Sequence, residues 1–476
     1  MTTKRKIFFR ADAGPEIGYG HFIRSLALAD MLKDDFDCVF YTQAPTEYQR
    51  KEAAPVCPLV ELPAYDTRFE LFLNELTGNE IVVLDNYFYT TDYQRRIKEK
   101  GCRLVCIDDM HDKHYVADVV VNHAYGCHKE DYSVEPYTQL CVGLNYALLR
   151  KPFLDLNVKP NHHQKRVLVC YGGLDAHNLT CKTILSLGNI IDNYQVEVVV
   201  GSAFSAKDEL AKLAKKHTNI HVHTALNAEE MSALMRESQM AFLPASSVLW
   251  EAIFCGCKVI YGYYVDNQMD ICRNVGNNSS LGLSYVGNLR EVTSHDLRTV
   301  FLKAVESDNK MVFEKPDVRS HYVALFNSEV TIREANINDA KLYFNWANDP
   351  VVRQMAFHTE PILWENHIKW FESKLDSTEA HLLVCYHGTE PIGQVRFDIL
   401  DGGEAEIDIS IAKDSRGKGY GKAMLKAAIE YERCMNGVKT FVSEVKEENA
   451  PSQRMFLASG FVITRKANGI IFLKRS

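Results

Sequence analysis

The feature that most narrows the fold is an alternation. Short apolar runs at positions 6–10, 38–41, 81–84, 104–107 and 119–121 read as strands, and stretches such as 22–32 and 92–100 between them read as helices. Strands alternating with helices predict a parallel, doubly wound sheet. Residues 150–164 (RKPFLDLNVKPNHHQ) are polar, carry two prolines and lack periodicity, as an inter-domain connection does. The pattern then restarts. Strands are predicted at 167–170, 195–200, 220–222, 240–242 and 258–261, with helices at 208–217, 228–237 and from 248. Residues 308–328 are charged and weakly patterned and read as a second linker.

From residue 330 the alternation changes character. A helix is followed by antiparallel-looking strands at 381–386, 393–399 and 404–411, then a glycine loop and another helix. At 476 residues the chain exceeds what one core holds. The expected domains are 1–155, 164–312 and 329–476. No 20–50-residue repeat is present.

A net charge of −8 argues against wholesale binding to nucleic acid or an anionic membrane. The thirteen cysteines are scattered with no CxxC pair, which reads as reduced thiols rather than disulfides or a zinc site, and no metal is expected. The apolar run Ile7, Phe8, Phe9 is too short for a signal peptide, and no window approaches the ~20 apolar residues of a membrane span. A cytoplasmic enzyme is the expectation. Its oligomeric state is open.

The first strand runs into a loop with Gly18, Gly20 and His21, and then into a helix. In parallel α/β sheets, ligands sit beyond the carboxyl ends of strands. Glycine lets backbone approach a ligand, and a helix N-terminus presents unpaired N–H groups and partial positive charge, which suit a phosphate. A histidine at that mouth either caps the helix or moves a proton. The glycines and Arg24, one turn on, favour the second.

The stretch FFRADAGPEIGYGHFIRSLALA resembles the opening of the pseudaminic-acid pathway hydrolase family, which releases UDP from UDP-2,4-diacetamido-2,4,6-trideoxy-β-L-altropyranose. The likeness extends through VVLDNY (82–87), CIDDM (106–110), GLNYALLR (143–150), YGGLD (171–175), PASSVLWEA (244–252) and DNQ (266–268). It implies a GT-B pair of parallel-sheet domains with a UDP-linked amino sugar bound between them. His21 is then the base that activates water, with inversion at the anomeric carbon. Asp12, Gly20, Arg24, Asp85 and Tyr87 are candidates to orient His21 or the sugar. Gly172 and Gly173 can meet the diphosphate. Ser246 and Ser247 either cap a helix or donate to phosphate oxygens. Glu251 can accept from ribose hydroxyls, and Asn267 and Gln268 can bond the sugar.

The third block repeats the loop-before-helix arrangement. IDISIAKDSRGKGYGKAMLKAAIEYE (407–432) places Arg416, Gly417, Lys418, Gly419, Tyr420 and Gly421 between a strand and a helix, where successive N–H groups make a nest for a pyrophosphate. With NAPSQRMFLASGF (449–461) downstream, this block resembles a GCN5-related N-acetyltransferase (GNAT). IREANINDAKLYFNWANDPVVRQMAF and HIKWFESKL are similar to the acetyltransferase of the same pathway, which acts on the 4-amino group of the UDP-sugar precursor. The resemblance implies acetyl-CoA as co-substrate. Arg416 through Gly421 would hold its pyrophosphate, and the strand with Ile409 and Ile411 would pair with the pantetheine arm, with Asn449 near it. Glu404, Glu406 and Asp408 either relay the amine proton through water or form a solvated strand face. Where many members carry an acid-donating tyrosine, this chain has Phe456. Trp346, Trp364, Trp370 and Phe371 form either a sugar-facing wall or core. Two alternatives stay open: a GT-B glycosyltransferase using a UDP-sugar donor, or a hydrolase with a non-catalytic acyl-CoA-binding module.

Overall fold

The computed structural model describes residues 4–14, 18–161, 163–201, 204–224, 226–307 and 311–476, with backbone alone at 163, 164 and 267. Three large sheets follow one another. The first holds β1 (Lys6–Ala11), β2 (Asp37–Gln43), β3 (Leu59–Leu62), β4 (Ile81–Asp85), β5 (Arg103–Ile107), β6 (Val119–Asn122) and β7 (Gln139–Val142), in spatial order β3-β2-β1-β4-β5-β6-β7 and parallel throughout. The second holds β8 (His163–Val169), β9 (Gln195–Val200), β10 (Ile220–Thr224), β11 (Ser238–Pro244), β12 (Lys258–Tyr263) and β13 (Leu283–Asn288), in order β10-β9-β8-β11-β12-β13 and again parallel. In both, the order reverses beside the first strand, and ligand crevices form at such switch points.

The central strands are nearly continuous apolar runs because both faces are covered. Ile81, Val82 and Val83 on β4 are fully buried, as are Ala241, Phe242 and Leu243 on β11. Helix α1 (Gly20–Leu32) covers the first sheet through Phe22, Leu28 and Leu32. Helix α2 (Ser247–Phe254) follows β11 and buries Leu249, Trp250 and Ile253.

The stretch read as a second linker differs from expectation. It contains helix α3 (Val318–Asn327), which packs back on the first unit. Its Tyr322 hydroxyl donates to the Tyr146 carbonyl at 2.7 Å, and Phe326 meets Phe36 edge-on at 6.1 Å. Residues 150–164 likewise include a short helix, Lys151–Leu154.

The third sheet is mixed. It holds β14 (Thr331–Glu334), β15 (Ala380–His387), β16 (Glu390–Ile399), β17 (Glu404–Ile411), β18 (Thr440–Lys446), β19 (Val462–Ala467) and β20 (Ile470–Arg475), in order β14-β15-β16-β17-β18-β20-β19. All neighbours are antiparallel except β17 and β18. Helix α4 (Tyr420–Asn436) crosses this sheet and buries Met424, Leu425, Ala428 and Ile429, and α5 (Ala450–Ala458) follows β18. The third unit docks on the first through polar pairs: Thr331 Oγ1 to the Tyr137 carbonyl (3.0 Å), Ile332 N to Gln139 Oε1 (3.1 Å) and Lys129 Nζ to Glu334 (2.7 Å).

Every cysteine is unpaired, and all but Cys127 are buried. Among the described residues, no helix is long and apolar enough to cross a membrane, and no cluster has the makings of a metal site.

Candidate active sites

A cleft of about 690 Å³ opens between the first two sheets, a size typical of small-molecule sites (~300–1,000 Å³). One wall is the mouth of α1. Its N-cap, Tyr19, makes no side-chain capping bond, and the first turn has no acidic residue, so the positive helix end faces the cleft uncancelled. Gly18 lies at φ +82° and exchanges backbone hydrogen bonds with Gly14. Residues 15–17 of the opening motif lie outside the described residues. Gly20 is the first residue of α1 and lines the cleft.

His21 does not cap the helix. Its Nδ1 lies 2.7 Å from Oδ1 of Asp85, at the end of β4. Arg24 grips the same carboxylate, Nε to Oδ2 at 2.7 Å and Nη2 to Oδ1 at 2.6 Å, and Ser25 Oγ adds 2.9 Å. Arg24 Nη1 reaches Asp109 at 2.7 Å. Burial opposes the charge on Asp85, yet Arg24 and the hydrogen bonds from Arg24 and His21 hold its carboxyl below the usual range. Burial likewise opposes charge on Asp109, and Arg24 takes it down to about 2. Arg24 Nη2 also lies 3.1 Å from Nδ1, but the shorter contact is to the ionised Asp85, which only accepts; Nδ1–H donating there leaves Nε2 as the ring nitrogen for the cleft. Tyr87 packs edge-on against the His21 ring at 4.5 Å and also lines the cleft.

Asp12 is a correction. Parallel pairing sets Ala11 beside Asp85, so Asp12, one residue on, points to the opposite face of the sheet. There it is fully buried against Arg10 (Nη2 to Oδ2, 2.8 Å) and accepts from Gln43 N at 2.8 Å. Its backbone is stapled to Asn86. It lies outside the cleft lining and braces the loop from behind.

The second wall belongs to the second sheet. Gly172 (φ +89°) and Gly173 form the turn after β8 and line the cleft. A Cβ at the neighbouring Gly201 would collide with the Gly173 backbone, so this turn needs small residues. Ser246 is the N-cap of α2 but makes no side-chain capping bond. It and Ser247 face the cleft, and simple capping is not what the Ser246 hydroxyl does. Glu251, one turn on, is buried rather than solvated. Burial raises its pKa against the pull of Arg150, whose Nη2 and Nε lie 2.9 and 3.2 Å from Oε1. Gln268 lines the cleft and accepts from Tyr264 N at 3.0 Å. The Asn267 side chain lies outside the described residues.

Sequence reasoning singled out neither Asp109, His123 nor Arg150, all of which line the cleft. Asp109 and His123 lie just past the ends of β5 and β6, and that position was the available signal.

In the third unit, β17 and β18 pair only from Glu404 to Glu406 and then part. The edge from Ile407 onward, with Ile409 and Ile411, therefore faces a gap rather than a neighbouring ladder, though Ser443 Oγ reaches the Ile407 carbonyl at 3.2 Å. After Ile411 the chain turns through Arg416 to Gly421 into α4. Gly417, Lys418 and Gly419 are exposed, and Gly419 (φ +86°) is the left-handed N-cap of α4. Arg416 bonds the Ile411 carbonyl (3.1 Å) and Asp349 (2.7 Å), so its side chain pins the loop instead of projecting from it. Tyr420 packs on His387 at 4.8 Å. A Cβ on Gly421 would sit 2.7 Å from Ile411 Cδ1 and 2.9 Å from Met455 Sδ.

Asn449 Oδ1 caps α5 through Ser452 N at 3.2 Å. Phe456 is core, 1% exposed and edge-on to Phe461 at 5.0 Å. Trp346 and Phe371 are also core, and Trp364 is exposed. Glu404 pairs with Lys474 at 2.5 Å, and Asp408 accepts from Gln394 at 2.8 Å. Burial, with Glu444 and Asp398 nearby, raises the Glu406 carboxyl.

Comparison with known proteins sets the C-terminal part of the chain apart from the rest. A family model for the acetyltransferase (GNAT) domain matches residues 329–462. An uncharacterized protein of Methanocaldococcus jannaschii is 23% identical over 97% of this chain and 97% of its own length. The UDP-2,4-diacetamido-2,4,6-trideoxy-beta-L-altropyranose hydrolase of Campylobacter jejuni is 29% identical over 55% of this chain and 93% of its own length. Among solved structures, a spermidine N-acetyltransferase from Vibrio cholerae in complex with CoA and spermine is 20% identical, covering 31% of this chain and 96% of that one, with a TM-score of 0.29. The C-terminal unit has a GNAT acetyltransferase fold.

Proposed function

We propose that the chain is a bifunctional enzyme of amino-sugar biosynthesis, with a GT-B-type UDP-sugar hydrolase in its first two units and an acetyl-CoA-dependent N-acetyltransferase in its third. The hydrolase substrate is UDP-2,4-diacetamido-2,4,6-trideoxy-β-L-altropyranose, the compound named for the Campylobacter jejuni relative. The observation that carries this reading is His21, held through Nδ1 by a buried carboxylate and opposed across the cleft by the glycine turn and the open N-terminus of α2.

The chemistry follows from those parts. The diphosphate lies against the Gly172–Gly173 turn and the first N–H groups of α2, where helix polarity and N–H donors stabilise the leaving UDP. Water attacks the anomeric carbon from the His21 side. Its proton passes to Nε2, the bond from carbon to phosphate oxygen breaks, and UDP departs with the electron pair. Asp85 fixes the ring and stabilises the imidazolium that forms. Glu251, held by Arg150, accepts from the ribose, and Gln268 and Tyr87 border the sugar.

In the GNAT unit, the residues fit acetyl-CoA. The parted strand edge at Ile409 and Ile411 can accept an extended amide chain, and the Arg416–Gly421 turn is open at Gly417 and Gly419, where a Cβ would meet nothing within 4 Å. The chemistry supplied there is an acyl thioester. Glu406, whose raised pKa suits a proton acceptor, faces the same strand surface as Asp408 and drains the amine proton through water. Phe456 donates no proton, so the departing sulfur takes one from solvent.

Mass spectrometry of products from the 4-amino UDP-sugar plus acetyl-CoA tests both activities together. The expected products are CoA, UDP and the free diacetamido sugar. CoA without UDP would remove the hydrolase. Binding of CoA without turnover would favour a second reading, a non-catalytic acyl-CoA module, for which buried Phe456 is the specific observation.

A further inference from the structure

A second histidine shares the cleft with His21 and has no part in the mechanism above. His123 follows β6, is 6% exposed, and lines the cavity near Arg24 and Asp109. Its Nδ1 is enclosed and has no hydrogen-bond partner among the described residues. Burial, then the charge of Arg24, brings its pKa down to about 4, against the opposing pull of Asp109 and Asp85. The ring is therefore neutral at ordinary pH and carries one proton. An enclosed N–H without an acceptor is rarer and costlier than an enclosed lone pair. That puts the proton on Nε2, the nitrogen left to the cleft.

We infer that His123 is a specificity-determining residue: it donates Nε2–H to an uncharged oxygen of the sugar, an acetamido carbonyl, and so selects an acetylated sugar over one with a free amine. The inference rests on the hydrolase reading. An acetamido oxygen accepts from Nε2–H. An ammonium in its place presents donor to donor beside Arg24 and leaves the imidazole unpaired. Sites built around a hydrogen bond reject analogues that cannot make it, because the protein's own polar group is then stranded. Arg24 is held in place by Asp85 and Asp109, which take three of its five N–H groups. His123 thereby keeps the hydrolase from releasing sugar that the GNAT site has not yet acetylated.

The test uses the full-length chain without acetyl-CoA. UDP release is measured from the diacetamido UDP-sugar and from its 4-amino counterpart. The unaltered protein is expected to prefer the first. His123→Phe keeps a ring and loses the donor, and it should lower kcat/KM for the diacetamido sugar about tenfold while hardly changing the other. His123→Leu serves as a second donor-less variant, and His123→Gln, which restores an N–H at similar reach, should restore the preference. Acetyl transfer by the same preparations reports that the chain remains folded. An unchanged preference in both His123→Phe and His123→Leu overturns the inference and leaves the hydrolase standing. Absence of UDP release from either sugar by the unaltered chain overturns the hydrolase reading and the inference with it.

Discussion

The two candidate sites solve their problems with different material. The cleft works through buried side chains: His21, Asp85, Arg24 and Asp109 form one connected network in which each group fixes the next. The GNAT site works through backbone: a parted strand edge and a glycine turn carry it, while Arg416 and Asn449 are spent holding the loop and the helix. On the function proposed above, the difference matches the chemistry asked of each. Water must be deprotonated to attack a sugar carbon, which needs a placed base. An amine attacking a thioester is a competent nucleophile once neutral, so alignment does most of the work. The cleft should therefore be vulnerable to removal of a side chain, and the GNAT site to addition of one.

The sharpest contrast should come from His21→Ala. Loss of the base is expected to cut UDP release ~10²–10⁴-fold. UDP affinity, measured by calorimetry, should stay close to normal because the diphosphate wall is on the other unit. Acetyl transfer should be intact. Unchanged UDP release would remove the proposed base. The reciprocal variant is Gly421→Val. Its branched side chain must displace Ile411 and Met455, at a cost of about 1–3 kcal/mol. The expected outcome is a raised KM for acetyl-CoA with UDP release unaffected. A parallel loss of both activities in either variant would mean that the sites are not separable.

Arg150→Met should have a smaller effect. Arg150 leads into the segment joining the first two units, packs over the Phe153 ring and hydrogen-bonds Glu251, a buried carboxylate in the second. Without it, Glu251 is left uncompensated and its pKa climbs further, weakening any bond it accepts from ribose. UDP affinity should fall about tenfold with kcat nearly unchanged. A fall in kcat at constant affinity would place Arg150 in the chemistry instead.

How far these sites could be read from sequence depended on the kind of signal. Strands such as Ile81–Asp85 and Ser238–Pro244 were visible because burial on both faces makes them uninterrupted apolar runs. Helix Val318–Asn327 was not, since its buried Val318, Tyr322, Leu325 and Phe326 are interleaved with Arg319, Ser320 and His321 and answer to another unit's surface rather than to a local core. Asp12 and Asp85 look alike in sequence, each at the end of a strand. Only the register between β1 and β4 shows that they face opposite sides. Ser246 and Glu251 were correctly placed on one helix, but the counter-charge of the buried Glu251 is Arg150, a hundred residues away. The parting of β17 from β18 leaves no mark in composition at all.

The last effect concerns the dependence of stability on pH and again separates the two regions, with opposite signs. His123 in the cleft has a folded pKa of about 4, below the ordinary 6.5. Between those values the unfolded chain binds the proton and the folded chain does not. Its stabilising contribution is complete above pH 6.5 and declines as pH falls toward 4, by about 2 kcal/mol at pH 5. His381 in the GNAT unit is the reverse case. Its Nδ1 lies 2.8 Å from Glu432, whose hydrogen bond raises the folded pKa above 6.5. That contribution is complete below pH 6.5 and disappears as pH rises through the folded value. Thermal unfolding midpoints taken from pH 5 to pH 8 should therefore shift in slope, not only in height. His123→Phe should reduce the loss of stability on the acid side, and His381→Phe the loss on the alkaline side. Equal slopes in the unaltered chain and both variants would show that neither ring changes its protonation on unfolding, and the neutral state argued for His123 would go with them.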